Sequence, residues 1–218
     1  MHTKINWQDT INYASEKWNV IAGFTEIPES FVLAGKTIPY KYAMICIMEM
    51  DKAKIDLAPG REAGDEVQRV YDRLGVAVED IARWLREHGV TCQSEAPRGG
   101  SANTVPLAVK AGLGRLGMNG LVISPRWGPR FRIAPVYIKD KIFEFTDTCS
   151  NQWIETFCDG CRICESACPA GAILHDKKLK TVNDRNTVYT CIESEKCRMV
   201  FKETFGCGVC IKVCPLQN

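Results

Sequence analysis

The sequence predicts a mixed α/β (α+β) chain in two parts, a helix-and-strand region over residues 1–148 and a cysteine-rich module over residues 149–218. Three observations predict it. An apolar stripe at helical spacing runs from Val67 to Leu85, apolar runs of strand length stand at Met44–Met48 and Phe131–Ile138, and most of the 12 cysteines lie beyond residue 148.

Each element has its own signature. Trp7, Ile11, Ala14 and Trp18 recur at steps of four, three and four, as on one helix face. Met44–Met48 is too short and too uniformly apolar for an amphipathic helix and reads as a buried strand. Val67, Val70, Tyr71, Leu74, Val78, Ile81, Trp84 and Leu85 form the strongest helical stripe, and Gly89 follows where a helix C-terminal glycine belongs. Val105–Lys110 reads as a helix, and Leu121–Ile123 and Phe131–Ile138 as strands separated by the turn-rich Ser124–Pro129. The methionines and aromatics of these segments read as core. Cys46, inside the Met44–Met48 run, reads as buried packing, and Cys92 and Cys149 lie outside the cysteine pattern described next.

The cysteine module carries the chemistry. Cys158-x2-Cys161-x2-Cys164-x3-Cys168-Pro169 is followed by Cys207-x2-Cys210-x3-Cys214-Pro215, with Cys191 and Cys197 upstream of the second half. This is the ligand spacing of two [4Fe–4S] clusters, in which the last cysteine of each run ligates the other cluster. Cys158, Cys161, Cys164 and Cys214 are therefore expected to hold one cluster. Cys168, Cys207 and Cys210 are expected to hold the other, with Cys197 as the eighth ligand, on the short approach to Cys207, and Cys191 as the alternative. The two halves look like the pseudo-repeat of a ferredoxin-like module. A zinc site leaves the CxxxCP halves unexplained. Disulfides suit a secreted chain, and Met1–Thr10 holds no apolar signal core.

Composition bounds the partners. Hydrophobic residues at 45%, charged residues at 25% and a net charge of +2 are those of an ordinary globular protein. No basic run points to nucleic acid and no apolar run reaches a membrane span. The expectation is a cytoplasmic protein in a reducing, anaerobic setting, with no nucleic-acid or membrane partner and with self-association open.

Gly112-Leu-Gly114-Arg-Leu-Gly117 matches GxGxxG, but a helix precedes it and a strand follows, the reverse of a dinucleotide-binding turn. Such a loop lets backbone approach a large cofactor or another chain segment closely. The segment from Asn103 to Ile133, with its Ala-Gly-Leu-Gly step, resembles the cofactor-domain signature of cobalamin-dependent reductive dehalogenases and is similar, less closely, to epoxyqueuosine reductases. Both families follow it with a two-cluster module, and the likeness spans roughly residues 65–216. Glu195–Pro215 also resembles the dehalogenase second half, with a cysteine about ten residues before the CxxCxxxCP, a second reason to prefer Cys197.

The resemblance implies a nitroreductase-like core holding a corrinoid (cobalamin), with Gly112, Leu113, Gly114, Gly117, Asn119, Leu121, Ile123 and Ser124 lining it. Cobalamin would be bound base-off, and the chain holds no DxHxxG cobalt-ligand motif. A low-potential donor such as a ferredoxin or flavodoxin and a small-molecule substrate would be the partners. A flavin reductase and a carrier or cobalamin-reducing partner without its own substrate are the other readings.

The sequence departs from both families at the proton donor. Epoxyqueuosine reductases use an aspartate shortly before the Ala-Gly-Leu-Gly step, where Pro97–Asn103 has none, and dehalogenases use a tyrosine upstream, near what here is Gly89-Val90. Arg98, Ser101 and Asn103 are the nearest catalytic candidates, with Glu95 beside them, and His88 reads as a helix-end cation. No counterpart of the helical extension of epoxyqueuosine reductases follows Cys214, so a tRNA substrate is not expected.

Overall fold

The computed structural model describes residues 5–144, 151–182 and 185–217, with the side chains of 177–182 and 185–191 outside the description. The expected boundary at 148/149, Cys149 and the Cys191 side chain therefore lie outside the described residues. In chain order the elements are α1 (Trp7–Trp18), β1 (Val20–Glu26), β2 (Tyr42–Glu49), α2 (Lys52–Ile55), α3 (Arg61–Glu87), β3 (Cys92–Ser94), α4 (Thr104–Lys110), β4 (Arg115–Leu116), β5 (Val122–Ile123), β6 (Phe131–Ile138), α5 (Trp153–Cys161), α6 (Ile163–Ser166), β7 (Ile173–Val182), β8 (Arg185–Ile192), α7 (Ser194–Glu203) and α8 (Val209–Lys212). They divide into two compact units, each drawn from three stretches: Met1–Glu49, Val70–Leu113 and Arg132–Cys149 in the first, Met50–Arg69, Gly114–Phe131 and Ser150–Asn218 in the second. The units interleave along the chain.

The first unit is built on a four-stranded sheet of order β1-β2-β6-β3. The β1–β2 pair is antiparallel, with Val20 opposite Met48 and Glu26 opposite Tyr42. Residues 43–47 of β2 are fully buried, so the apolar run is a strand covered on both faces. From Val70 onward α3 supplies the core stripe. Val70, Leu74, Val78, Ile81 and Leu85 are each at most 1% exposed, and each such burial stabilises by about 1.5–3 kcal/mol. The helix ends at His88 and Gly89, where the Gly89 φ of +83° lets Val90 N–H return to the Leu85 carbonyl at 3.0 Å. His88 Nδ1 lies 2.7 Å from the Trp84 carbonyl, a local helix-end bond.

Asp80 organises the polar side of this unit. Its carboxylate accepts from Tyr13 Oη, Trp18 Nε1 and Lys17 Nζ, each at 2.8 Å, and pairs with Arg83. Burial opposes its ionisation, but the hydrogen bonds from Lys17, Trp18 and Tyr13 outweigh it and bring the carboxyl down to about 2.

In the second unit β4 and β5 form a small antiparallel hairpin, with Arg115 opposite Ile123 and Leu116 opposite Val122. The GxGxxG segment thus runs into a hairpin and not into a strand–turn–helix, which removes the dinucleotide reading. Gly114 is required by packing: a Cβ there would lie 2.1 Å from the Ile123 carbonyl oxygen. Glu66, 5% exposed, accepts from Asp51 N–H at 2.6 Å and binds Arg69 through both carboxylate oxygens. No helix of the described residues is long and apolar enough to cross a membrane.

Candidate metal centre

The two cysteine runs fold alike. Cys158 and Cys161 lie on α5, and Arg162 then adopts a left-handed conformation (φ 52°) that starts α6, which carries Cys164. In the second run Gly208 (φ 80°) starts α8, which carries Cys210. Each short helix closes with the same pair of bonds: Glu165 N–H to the Arg162 carbonyl and Ala167 N–H to Ile163 in one, Ile211 N–H to Gly208 and Val213 N–H to Val209 in the other. The last cysteine of each run, Cys168 or Cys214, leaves its short helix by a turn. Phe205 (φ 51°) and Cys207 (φ 50°) hold the left-handed region as non-glycine residues, at a cost on the order of 1–3 kcal/mol each.

The thiols fall into two electrostatic groups. Burial first, and then Cys214 and Cys158, push the Cys164 thiol up to about 11. Burial raises Cys214 to about 11; Cys158 and Cys161 add to the rise against backbone N–H groups of Leu216 and Gln217. Burial followed by Cys168 and Cys207 raises Cys197. Burial pushes Cys210 up to about 12, with Cys207, Cys164, Cys197 and Cys168 contributing. Cys158, Cys161, Cys164 and Cys214 thus act on one another, as do Cys168, Cys197, Cys207 and Cys210, and Cys164 also acts on Cys210. Among the described residues no three His, Cys, Asp or Glu side chains converge closely enough for a single metal ion. Eight thiols in two loose sets suit cuboidal clusters, whose ligands stand on separate iron atoms.

Around the first set a cavity is lined by Cys158, Cys161, Cys164 and Cys214 together with Met118, Asn119, Ile123, Phe157, Arg162 and Pro215. Met118 and Ile123 are at most 2% exposed, so this side is apolar and dry. The tail behind Cys214 is fastened. Gln217 Nε2 donates to Asp56 Oδ1 at 3.2 Å and to the Lys212 carbonyl, and Lys212 Nζ donates to the Ala58 carbonyl at 2.9 Å. Gly128 (φ +55°) lies under the same tail, and a Cβ there would meet the Leu216 carbonyl oxygen at 2.6 Å. At the second set Ala172 N–H donates to Cys168 Sγ at 3.4 Å.

The candidate catalytic residues lie in the first unit, where each has a structural partner. Ser101 donates to the Glu95 carboxylate through Oγ (2.6 Å) and N–H (2.8 Å), and Tyr137 Oη joins at 2.5 Å. Burial, and then the bond to Glu95, raises the Tyr137 phenol. Asn103 caps α4 through Oδ1 to Val105 N–H at 3.3 Å. The Arg98 guanidinium lies 4.3 Å from the centre of the Tyr71 ring, with Arg132 at 5.0 Å from the same ring. Of the residues the resemblance assigned to a corrinoid, Leu113, Asn119, Ile123 and Ser124 are at most 6% exposed, and Gly114 is closed off by Ile123. Gly117 is also buried, and Gly112 and Leu121 are half-buried. Met118, Phe157 and the Gln217–Asp56 fastening carried no sequence signal, because each depends on a contact distant in the chain.

Comparison with known proteins now becomes decisive. Residues 157–217 match the 4Fe-4S double cluster binding domain. The tetrachloroethene reductive dehalogenase of Desulfitobacterium hafniense is 32% identical over 184 residues, covering 80% of this chain and 32% of that protein. The chain belongs to the iron–sulfur superfamily of reductive dehalogenases and epoxyqueuosine reductases. The epoxyqueuosine reductase of Lactococcus garvieae is 29% identical over 122 residues, covering 55% of this chain and 33% of that protein. This member of the superfamily therefore spans about a third of the length of the curated relatives it matches. Its fold is theirs: the catabolic reductive dehalogenase NpRdhA superposes with a TM-score of 0.73 at 22% identity, over 91% of this chain and 30% of that one. An epoxyqueuosine reductase solved with a tRNA stem loop gives 0.61 at 17% identity, over 97% and 65%.

Proposed function

We propose that this chain is a cytoplasmic, anaerobic iron–sulfur reductase component that relays low-potential electrons, one at a time, through two [4Fe–4S] clusters toward a reductive reaction on a small molecule. The observation that carries it is the matched fold of the two cysteine runs, with Cys158, Cys161, Cys164 and Cys214 gathered around one cavity. Cys158, Cys161, Cys164 and Cys214 hold one cluster, and Cys168, Cys197, Cys207 and Cys210 the other. When bound, each cluster accepts and releases a single electron. The chain's own part is to keep the two ligand sets adjacent and to keep water from one face of the first with Met118 and Ile123. It also tunes the second through the Ala172 N–H bond to Cys168. The first set lies against the 118–123 hairpin, and the second borders α7, a helix without a buried residue. A cluster held by Cys168, Cys197, Cys207 and Cys210 would take electrons from a ferredoxin- or flavodoxin-type donor, and one held by Cys158, Cys161, Cys164 and Cys214 would supply them to the acceptor.

The relatives suggest the acceptor. One solved relative is described as suggesting a mechanism for B12-dependent dehalogenation. In this chain most of the residues expected to line a corrinoid are buried, and Gly114 is closed off by the Ile123 backbone. That burial favours a second reading, an electron-transfer protein that reduces a partner and has no substrate of its own. Metal analysis of anaerobically purified protein tests both. Eight irons with one cobalt support the corrinoid-dependent reductase; eight irons with no cobalt, and no uptake of added cobalamin, leave the electron-transfer protein; fewer than eight irons defeat the relay.

A further inference from the structure

Asn119 stands apart from the residues around it. It is a polar side chain only 5% exposed, on the turn between β4 and β5. That turn is fixed by Gly117 N–H to the Leu121 carbonyl (2.8 Å) and Gly120 N–H to the Gly117 carbonyl (3.0 Å). Its amide is used at both ends: Oδ1 accepts from Leu121 N–H at 3.2 Å, and Nδ2 donates to the Cys210 carbonyl at 3.3 Å. The same residue lines the cavity formed by Cys158, Cys161, Cys164 and Cys214. One side chain thus walls the first thiol set while holding the backbone of a cysteine that belongs to the second. Burying an amide is costly unless its bonds are made. An apolar residue of the same size would wall the cavity equally well, but it could neither hold the turn through Leu121 N–H nor bond Cys210.

We propose that Asn119 is a positioning residue for both clusters, which forms the wall of one and sets the ligand loop of the other. The proposal rests on the two-cluster reading above and goes beyond it. It gives Asn119 to the iron–sulfur centres, where the family resemblance had placed it on a corrinoid.

The test is a redox titration followed by electron paramagnetic resonance, on holoprotein carrying Asn119→Leu, with Met118→Leu as a change to the wall alone. Asn119→Leu keeps eight irons and alters the potentials and signals of both clusters. For the cluster on Cys168, Cys197, Cys207 and Cys210 the expected change is about tenfold in the reduction equilibrium, about 59 mV for one electron. Met118→Leu alters only the other cluster. An Asn119→Leu protein with eight irons and an unchanged second cluster overturns the proposal. Should Asn119→Leu fail to fold, Asn119→Ala decides. It adds no charge and leaves the Cys210 carbonyl without its donor, so the second cluster must shift, and an unchanged signal refutes the assignment. Wild-type protein with fewer than eight irons refutes the underlying reading before any variant is made.

Discussion

Replacing Asp80 with asparagine removes a charge that four side chains converge on, and its cost can be worked from the structure. The carboxyl lies at about 2 against an ordinary 3.8, and its side chain is 7% exposed. At about 1.4 kcal/mol for each pH unit, the ionised form contributes about 2.5 kcal/mol to folding. The folded value is the depressed one. The contribution is therefore full above the unfolded value near 3.8 and disappears as pH falls through about 2. Asp80→Asn should thus cost about 2.5 kcal/mol at pH 7, and the same at pH 5.5, since both lie above the window. Urea unfolding of the anaerobic holoprotein, read by tryptophan fluorescence, reports it directly, because Trp18 bonds Asp80 and Trp84 stacks on Tyr13 at 4.7 Å. A loss below about 0.5 kcal/mol, the level of an ordinary surface change, would refute the reasoning, as would a cost that changed between the two pH values.

The remaining predictions concern the clusters. Cys197→Ala should lower the iron content from eight to four per chain while Cys191→Ala keeps eight; iron analysis showing the reverse moves the eighth ligand to Cys191. Gly128→Ala forces a side chain onto the Leu216 carbonyl at a left-handed position, with strain of about 1–2 kcal/mol from the backbone alone. Under a chelator it should release the cluster on Cys158, Cys161, Cys164 and Cys214 first, by absorbance and paramagnetic resonance. Loss of the other cluster first would contradict the role given to the tail.

The parts legible in the sequence were those governed by local spacing. The α3 stripe was visible because residues at i, i+4 and i+7 must share a face, and Val70, Leu74, Val78, Ile81 and Leu85 do so in the structure. The CxxC repeats were equally local, and the matching helical turns at Arg162 and Gly208 follow from them. What escaped depends on long-range contact. Asn119 bonds a residue 91 positions away, and Gln217 one 161 positions away. The β7–β8 hairpin between the two cysteine halves was also missed, since its residues 173–192 are largely polar and show no apolar alternation. The loop glycines illustrate the limit of a motif. GxGxxG correctly announced a close approach, but what approaches Gly114 is the Ile123 backbone.

The central claim is two adjacent [4Fe–4S] clusters on one chain, and a stoichiometric reductive titration of the holoprotein tests it most directly. The account predicts two one-electron steps per chain, with paramagnetic signals that broaden through mutual coupling once both clusters are reduced. A single one-electron step, or two signals without any coupling, would contradict it.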